Sequence, residues 1–367
     1  MAYRVFRLTG LVLTLVCALT VVGWTRPARH PKAKINKIPG KLTFLRGDAL
    51  WLLSQNGTTL RKLATVSNAA WPVGWDRTAN RIAWADDQGL WVLDLRTGAK
   101  QKLTQPPTKG DFGSGHFDPW GTPAWDKTGR WLFIGGNISQ DVDADGGVWQ
   151  FTADNQTPPK QIISPSPSIG PAFRAPLLSP NGRYLFDVDV EDGQITAYLY
   201  NLQQQKYIPV SIPAILVQLG DYGWLPDNQT LAIGNFAGRY EKDAPPSHGG
   251  IWRFNPFTSQ ARPWLAKGKT IGPLALSPNG RLLAYALPGP HKLQYRIHDL
   301  RTGRDRCVLV ATNYSPDRLS WAPDSRYLAA SMLRQDATRY DIYIIDTQTG
   351  TLVQTIKDAR APSWSPR

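Results

Sequence analysis

The sequence predicts an all-β fold, a seven-bladed β-propeller of four-stranded antiparallel blades, and three observations lead there. The first is a repeat. An anchor residue, then a turn, then a second apolar run recurs at Trp75, Trp125, Leu178, Trp224, Leu276, Trp321 and Trp364, with spacings of 50, 53, 46, 52, 45 and 43 residues. That is the length of one propeller blade. The second is periodicity: beyond Gly40, short apolar runs are bounded by Gly, Pro, Asn and Asp, and helical spacing is absent. The third is how the chain stops. Its last stretch, "APSWSPR", breaks off at the turn, whereas an orphan half-unit beginning at Gly40 lacks the strand before its turn.

Taken in chain order, Arg4 and Arg7 precede "LTGLVLTLVCALTVVGW", 17 uncharged residues from Leu8 to Trp24. Residues 1–25 therefore read as an apolar helix, either a signal peptide or an N-terminal membrane anchor, and both readings stand. Val21-Val22-Gly23 is a passable cleavage site, while Val16 is bulky for a lipoprotein box ending at Cys17. Residues 26–39 form a basic linker with Arg26, Arg29, Lys32, Lys34 and Lys37 and no acid. The positive-inside rule disfavours charges after the apolar run, but long domains are translocated largely regardless of charge, so export is expected. Residues 40–367 are the propeller. The unit after the orphan half shows all four strands, as "WPVGW", "RIAWA", "LWVLDL" and "KQKLT" joined by "DRTAN", "DDQG" and "RTGA". Placing the terminal "WSPR" ahead of "GKLTFL" completes the orphan, with Gly40 in the position of Gly129. One blade is then shared by the two ends, which removes the free sheet edges an open ring would expose. Trp51, Trp91, Trp149, Tyr198, Trp252 and Tyr343 fall at equivalent places in the third strands, with Arg296 the exception, and read as a packing layer.

The formal charge of +14 is unevenly spread. Seven basic residues and no acid lie within the first 40 residues, which leaves a mildly basic globule. No cluster of Lys and Arg interleaved with aromatics follows Lys37, so nucleic acid is not an expected partner. Cys17 lies in the leader and Cys307 is the other cysteine, so the folded part has no internal disulfide.

"LSPNGRLLAY", "WAPDSRYLAA" and "DLRTG" resemble the TolB-type, WD-like repeats of exported bacterial propellers, from Gly40 to Arg367. The resemblance implies an extracytoplasmic location, in the periplasm or on the outer face of the inner membrane. The family's namesake works with a peptidoglycan-associated lipoprotein and carries an α/β domain before six blades. Here a basic linker precedes seven. Hydrolase-bearing relatives of such blades use G-x-S-x-G, which does not occur in this sequence.

In a four-stranded meander the one-two and three-four turns share one face, and the two-three loops and interblade links share the other. The first face carries uniform turns such as "SPNGR" and "RTGA"; the length variation, in 105–121, 138–147, 164–174 and 236–250, falls on the second. Insertions on one rim of a scaffold are where binding usually resides. The candidate partner-binding residues there are Asp111, Phe112, His116, Phe117, Trp120, Phe173, Tyr240 and His248. Asp141, Asp143 and Asp145 before Gly146 have the spacing of a calcium loop. Position nine is Trp149 and position twelve Thr152, so an exposed acidic hairpin is the alternative. No cofactor is required, and calcium is the one ion with a motif to receive it. The expected function is a non-catalytic, monomeric scaffold that binds a protein or cell-envelope polymer and touches the membrane through its N-terminal segment. The alternative is a metal-dependent, lyase-type carbohydrate-active enzyme using His116, His248 and His291. A recess with convergent polar groups favours an enzyme; a broad aromatic patch favours docking.

Overall fold

The computed structural model describes residues 38–69, 71–103, 118–137, 147–163, 176–191, 194–216, 219–235, 248–290, 292–335 and 338–367. The expected N-terminal helix and most of the linker lie outside these residues. Among those described, 28 strands form seven four-stranded antiparallel sheets. The first blade is assembled from both ends of the chain. Arg360–Trp364 is its innermost strand, followed outward by Leu42–Arg46, Ala49–Leu53 and Leu60–Thr65. The innermost strands of blades two to seven are Gly74–Trp75, Asp118–Trp125, Leu177–Leu178, Leu219–Trp224, Leu274–Leu276 and Tyr314–Trp321.

The core is distributed over the seven interfaces between neighbouring blades. Ala83, Leu132 and Phe151 pack blade two on three; Leu199, Trp224 and Ile233 pack four on five. Phe44, Ile342 and Trp364 pack the shared blade on blade seven, closing the ring. The Trp anchors explain the repeat. The indole N–H of Trp75 donates to Ser363 O, that of Trp125 to Gly74 O, that of Trp224 to Leu177 O and that of Trp321 to Ala275 O, at 3.0–3.1 Å. Each bond runs to the innermost strand of the preceding blade, so one side chain supplies both apolar area and an interblade hydrogen bond. Blades four and six, with Leu178 and Leu276 as anchors, use packing alone at this position, and in the shared blade the buried indole N–H of Trp364 has no hydrogen-bond partner among the described residues. Gly74 is fixed by the same contact: a Cβ there would sit 1.9 Å from Pro123 O.

The turns are capped from within. Asp76 Oδ1 accepts from the N–H groups of Asn80 and Arg81, Asp126 Oδ1 from those of Arg130 and Trp131, and the Ser179 and Ser277 hydroxyls from those of Tyr184 and Leu282. The split turn copies this arrangement across the chain ends: the Ser365 hydroxyl accepts from Lys41 N–H at 2.8 Å, and Ser365 N–H donates to Lys41 O at 2.8 Å. The register corrects one detail of the expected alignment. Leu42 pairs with Trp364 as Leu132 pairs with Trp125, which places Gly40 at the position of Arg130, one residue beyond Gly129. Gly40 still adopts φ +77°. The break in the chain lets the turn close by a shorter route, and glycine supplies the left-handed conformation it needs.

The third-strand aromatics share a second feature. The third and fourth strands slip register beside Trp51, Trp149 and Trp252, and likewise beside Arg296. Arg296, the exception in that column, pairs with Asp305 at 3.0 Å, and Tyr285 donates its hydroxyl proton to the same carboxylate. A charged pair and a buried tyrosine thus stand where other blades place a ring. Among the described residues no helix is long and apolar enough to cross a membrane.

Candidate functional site

At the loop-rich mouth of the ring, the innermost strands of blades five and seven and the link into blade six surround a recess of about 920 Å³. Trp71, Tyr222, Asp221, Asp317, Arg318 and Pro273 are among the residues that line it. The strand bulges position its acids. Blade seven slips register between Pro316 and Arg318, leaving Asp317 as the extra residue, and blade five slips between Leu219 and Tyr222, around Asp221. A bulge re-aims side chains at the end of a strand, so both acids reach the mouth although they precede ordinary core strands.

The two carboxyl groups are held differently. Asp317 Oδ2 accepts from the Ser331 hydroxyl at 2.8 Å, and Ser331 is fully buried. Burial pushes the Asp317 carboxyl above the usual aspartate range; Ser331, Arg318 and Arg360 oppose this and do not cancel it. Asp221 is tied to backbone, its Oδ2 accepting from Leu274 N–H at 3.2 Å and its Oδ1 from Tyr222 N–H at 3.1 Å. Behind it the Tyr222 hydroxyl donates to Asp187 Oδ1 at 3.2 Å, and Asp187 is fully buried. The Arg318 guanidinium lies 4.5 Å from the centre of the Trp71 ring, a cation on an aromatic plate at the lip. Arg360 Nη2 donates to Ala69 O at 2.8 Å, tying the C-terminal strand to the link that carries Trp71. A carboxyl held towards its protonated form, a second carboxyl anchored by amides and an arginine over tryptophan give the recess hydrogen-bond donors, acceptors and a stacking surface in one place.

Of the residues singled out by the sequence, Asp111, Phe112, His116, Phe117, Asp141, Asp143, Asp145, Phe173 and Tyr240 lie outside the described residues, as does His291. The backbone of Trp120 pairs with Gly135 beside a bulge that ends at Ala124; its side chain is outside the description. His248 is partly buried, and its carbonyl accepts from Asn235 Nδ2 at 2.6 Å and from Trp252 Nε1 at 3.1 Å, clipping the third strand of blade five to the second. Among the described residues no group of three His, Cys, Asp or Glu side chains is arranged to hold a metal. The sequence alone does not single out Asp221, Asp317, Arg318 or Trp71. The signal for the acids is their place three residues ahead of Trp224 and four ahead of Trp321, where the other blades carry no acid.

No family model matches the chain, and no curated protein matches it in sequence. Solved structures do match in fold. TolB from Acinetobacter baumannii superposes with a TM-score of 0.50 at 14% identity, over 89% of this chain and 67% of that one. The periplasmic gluconolactonase PpgL from Pseudomonas aeruginosa gives 0.58 at 18% identity, over 89% and 98%. A prolyl endopeptidase gives 0.60 at 11% identity over 89% of this chain, which spans 51% of the peptidase. The likeness at these identities is one of fold, and it joins propellers of different activities.

Proposed function

We propose that the chain is an extracytoplasmic, TolB-like binding propeller that receives a protein or cell-envelope partner on its loop-rich face, with the recess beside Asp317 seating the partner's most deeply inserted group. The observation that carries this reading is the convergence of Asp221, Asp317, Arg318 and Trp71 on one recess at the face where the long loops join the blades. Such a recess matches the size of pockets that hold small ligands or inserted side chains. The extracytoplasmic location rests on the leader's composition and on the periplasmic gluconolactonase among the fold neighbours.

A second reading, an enzyme acting on a sugar-derived substrate, is favoured by the raised Asp317 carboxyl, since an acid displaced towards its protonated form suits general acid–base work. Photo-crosslinking from position 71 in envelope extracts, with loops 105–121 and 236–250 intact or shortened, separates the two. The docking reading expects a discrete adduct at position 71 that disappears when the loops are shortened, and none from Gln204 in a short turn of the opposite face. The enzyme reading expects turnover of lactone or uronate substrates that Asp317→Asn abolishes while the crosslinks are absent. Equal crosslinking from both faces contradicts the docking reading.

A further inference from the structure

We propose that the short-turn face is a docking surface for a bilayer bearing anionic lipid headgroups, so that the propeller rests on this face and presents its loop-rich face away from the membrane. The charge of the molecule is sorted by face in a way the net charge does not reveal. Arg130, Arg183, Arg281 and Arg326 occupy the same position of the one-two turn in four blades. Arg301 and Arg304 add two exposed cations from a three-four turn. The exposed acids within these short turns are Asp154, Asp227 and Asp324.

Several other acids of this face are turned inward. Asp76 is 1% exposed and spends its carboxylate on the turn amides and on Arg81. Where acid and base pair at this face, the base is the outer partner: Arg281 is 47% exposed against 17% for Asp299, and Arg326 42% against 8% for Asp346. The Arg281 guanidinium, with turn amides, holds the Asp299 carboxyl well below the usual range, so the pair stays ionised with its cation towards solvent. The turn-capping chemistry that folds the blades therefore also turns the Asp76, Asp299 and Asp346 carboxylates away from solvent.

One more observation points the same way. Arg77, Lys127 and Arg367 surround a cleft of about 110 Å³ lined also by Thr78, Thr128, Gly129 and the buried Asp76, whose carboxylate is engaged by turn amides and Arg81, where the first three blades meet on this face. Its size and lining suit the phosphate of a lipid headgroup. Clustered bases next to a membrane are drawn to anionic leaflets, and the attraction fades within a Debye length.

Amide hydrogen exchange of the full chain in vesicles tests the proposal, because it reads the face rather than the strength of leader insertion. In phosphatidylcholine vesicles containing phosphatidylglycerol, exchange in turns 126–130, 179–183, 277–281 and 300–304 is expected to slow about tenfold relative to pure phosphatidylcholine. Residues 312–313 and 338–339 on the opposite face should not change. The quadruple variant Arg130→Gln, Arg183→Gln, Arg301→Gln, Arg304→Gln, which leaves the two ion pairs intact, should lose the protection and keep its melting temperature. Equal exchange in both vesicle types, protection retained by the variant, or protection on the loop-rich face would overturn the proposal. So would equal protection by soluble DNA or polyphosphate without vesicles.

Discussion

Asp317 is the residue on which the reading of the site rests, and its titration is testable. Burial raises its carboxyl pKa above the unfolded value, so the folded chain retains a proton that the unfolded chain releases. The stability linked to that proton is fully present below the unfolded pKa, about 4, and is lost as pH rises through the folded one. The melting temperature of the wild type relative to Asp317→Asn should therefore decline as pH is raised from about 4 towards neutrality. A difference that stays constant with pH would place Asp317 in contact with water. The position of this acid was readable in the repeat; its chemistry was not. Nothing near Asp317 in sequence announces that Ser331, 14 residues on, and the link into blade six enclose it. The acids and aromatics that the sequence did offer fall almost wholly in loops outside the described residues. Of those within the description, Trp120 contributes a backbone pairing with Gly135 and His248 a backbone carbonyl to a strand clip.

Among elements, the innermost strands were the most legible, because four of their seven anchors are tryptophans that combine burial with an interblade hydrogen bond. Trp125 illustrates both, being 9% exposed with its indole N–H on Gly74 O. Trp125→Phe should cost about 1–2 kcal/mol, the bond and an unpaired carbonyl, whereas Trp125→Ala should cost about 3–5 kcal/mol. Chemical denaturation of the two variants measures the separation, and equal losses would show that the hydrogen bond contributes nothing. The third-strand column was legible as packing for the same reason. Arg296 stood out from it, but the Tyr285 and Asp305 partners that make an arginine tolerable there come from neighbouring strands, and pattern alone does not pair strands. The shared blade was visible as two incomplete halves. Its register was not: a turn made of two chain ends has no fixed length, and the structure closes it one residue earlier than an unbroken turn would.

At the scale of the whole molecule, closure makes the two faces different things. A ring held at seven apolar interfaces is rigid enough for its link loops to vary without loss of fold, so variation collects on one face and uniform, acid-capped turns on the other. Deleting residues 361–367 removes Trp364, 5% exposed, and the strand that completes the first blade. A buried tryptophan contributes about 3–5 kcal/mol of the roughly 5–15 kcal/mol that a domain has. The truncated chain is expected to aggregate or melt far below the intact one, and an unchanged melting temperature would leave the shared blade without a role. The most direct measurement of closure joins the ends covalently. Thr43 and Ser363 are register partners in adjacent antiparallel strands, a separation that a disulfide can span. In a chain with Cys17 and Cys307 changed to serine, Thr43→Cys with Ser363→Cys should oxidise to an intramolecular disulfide and melt higher, because the bond closes a very long loop in the unfolded chain. Free thiols under oxidising conditions, or disulfides formed only between molecules, would show that the two ends do not share a sheet.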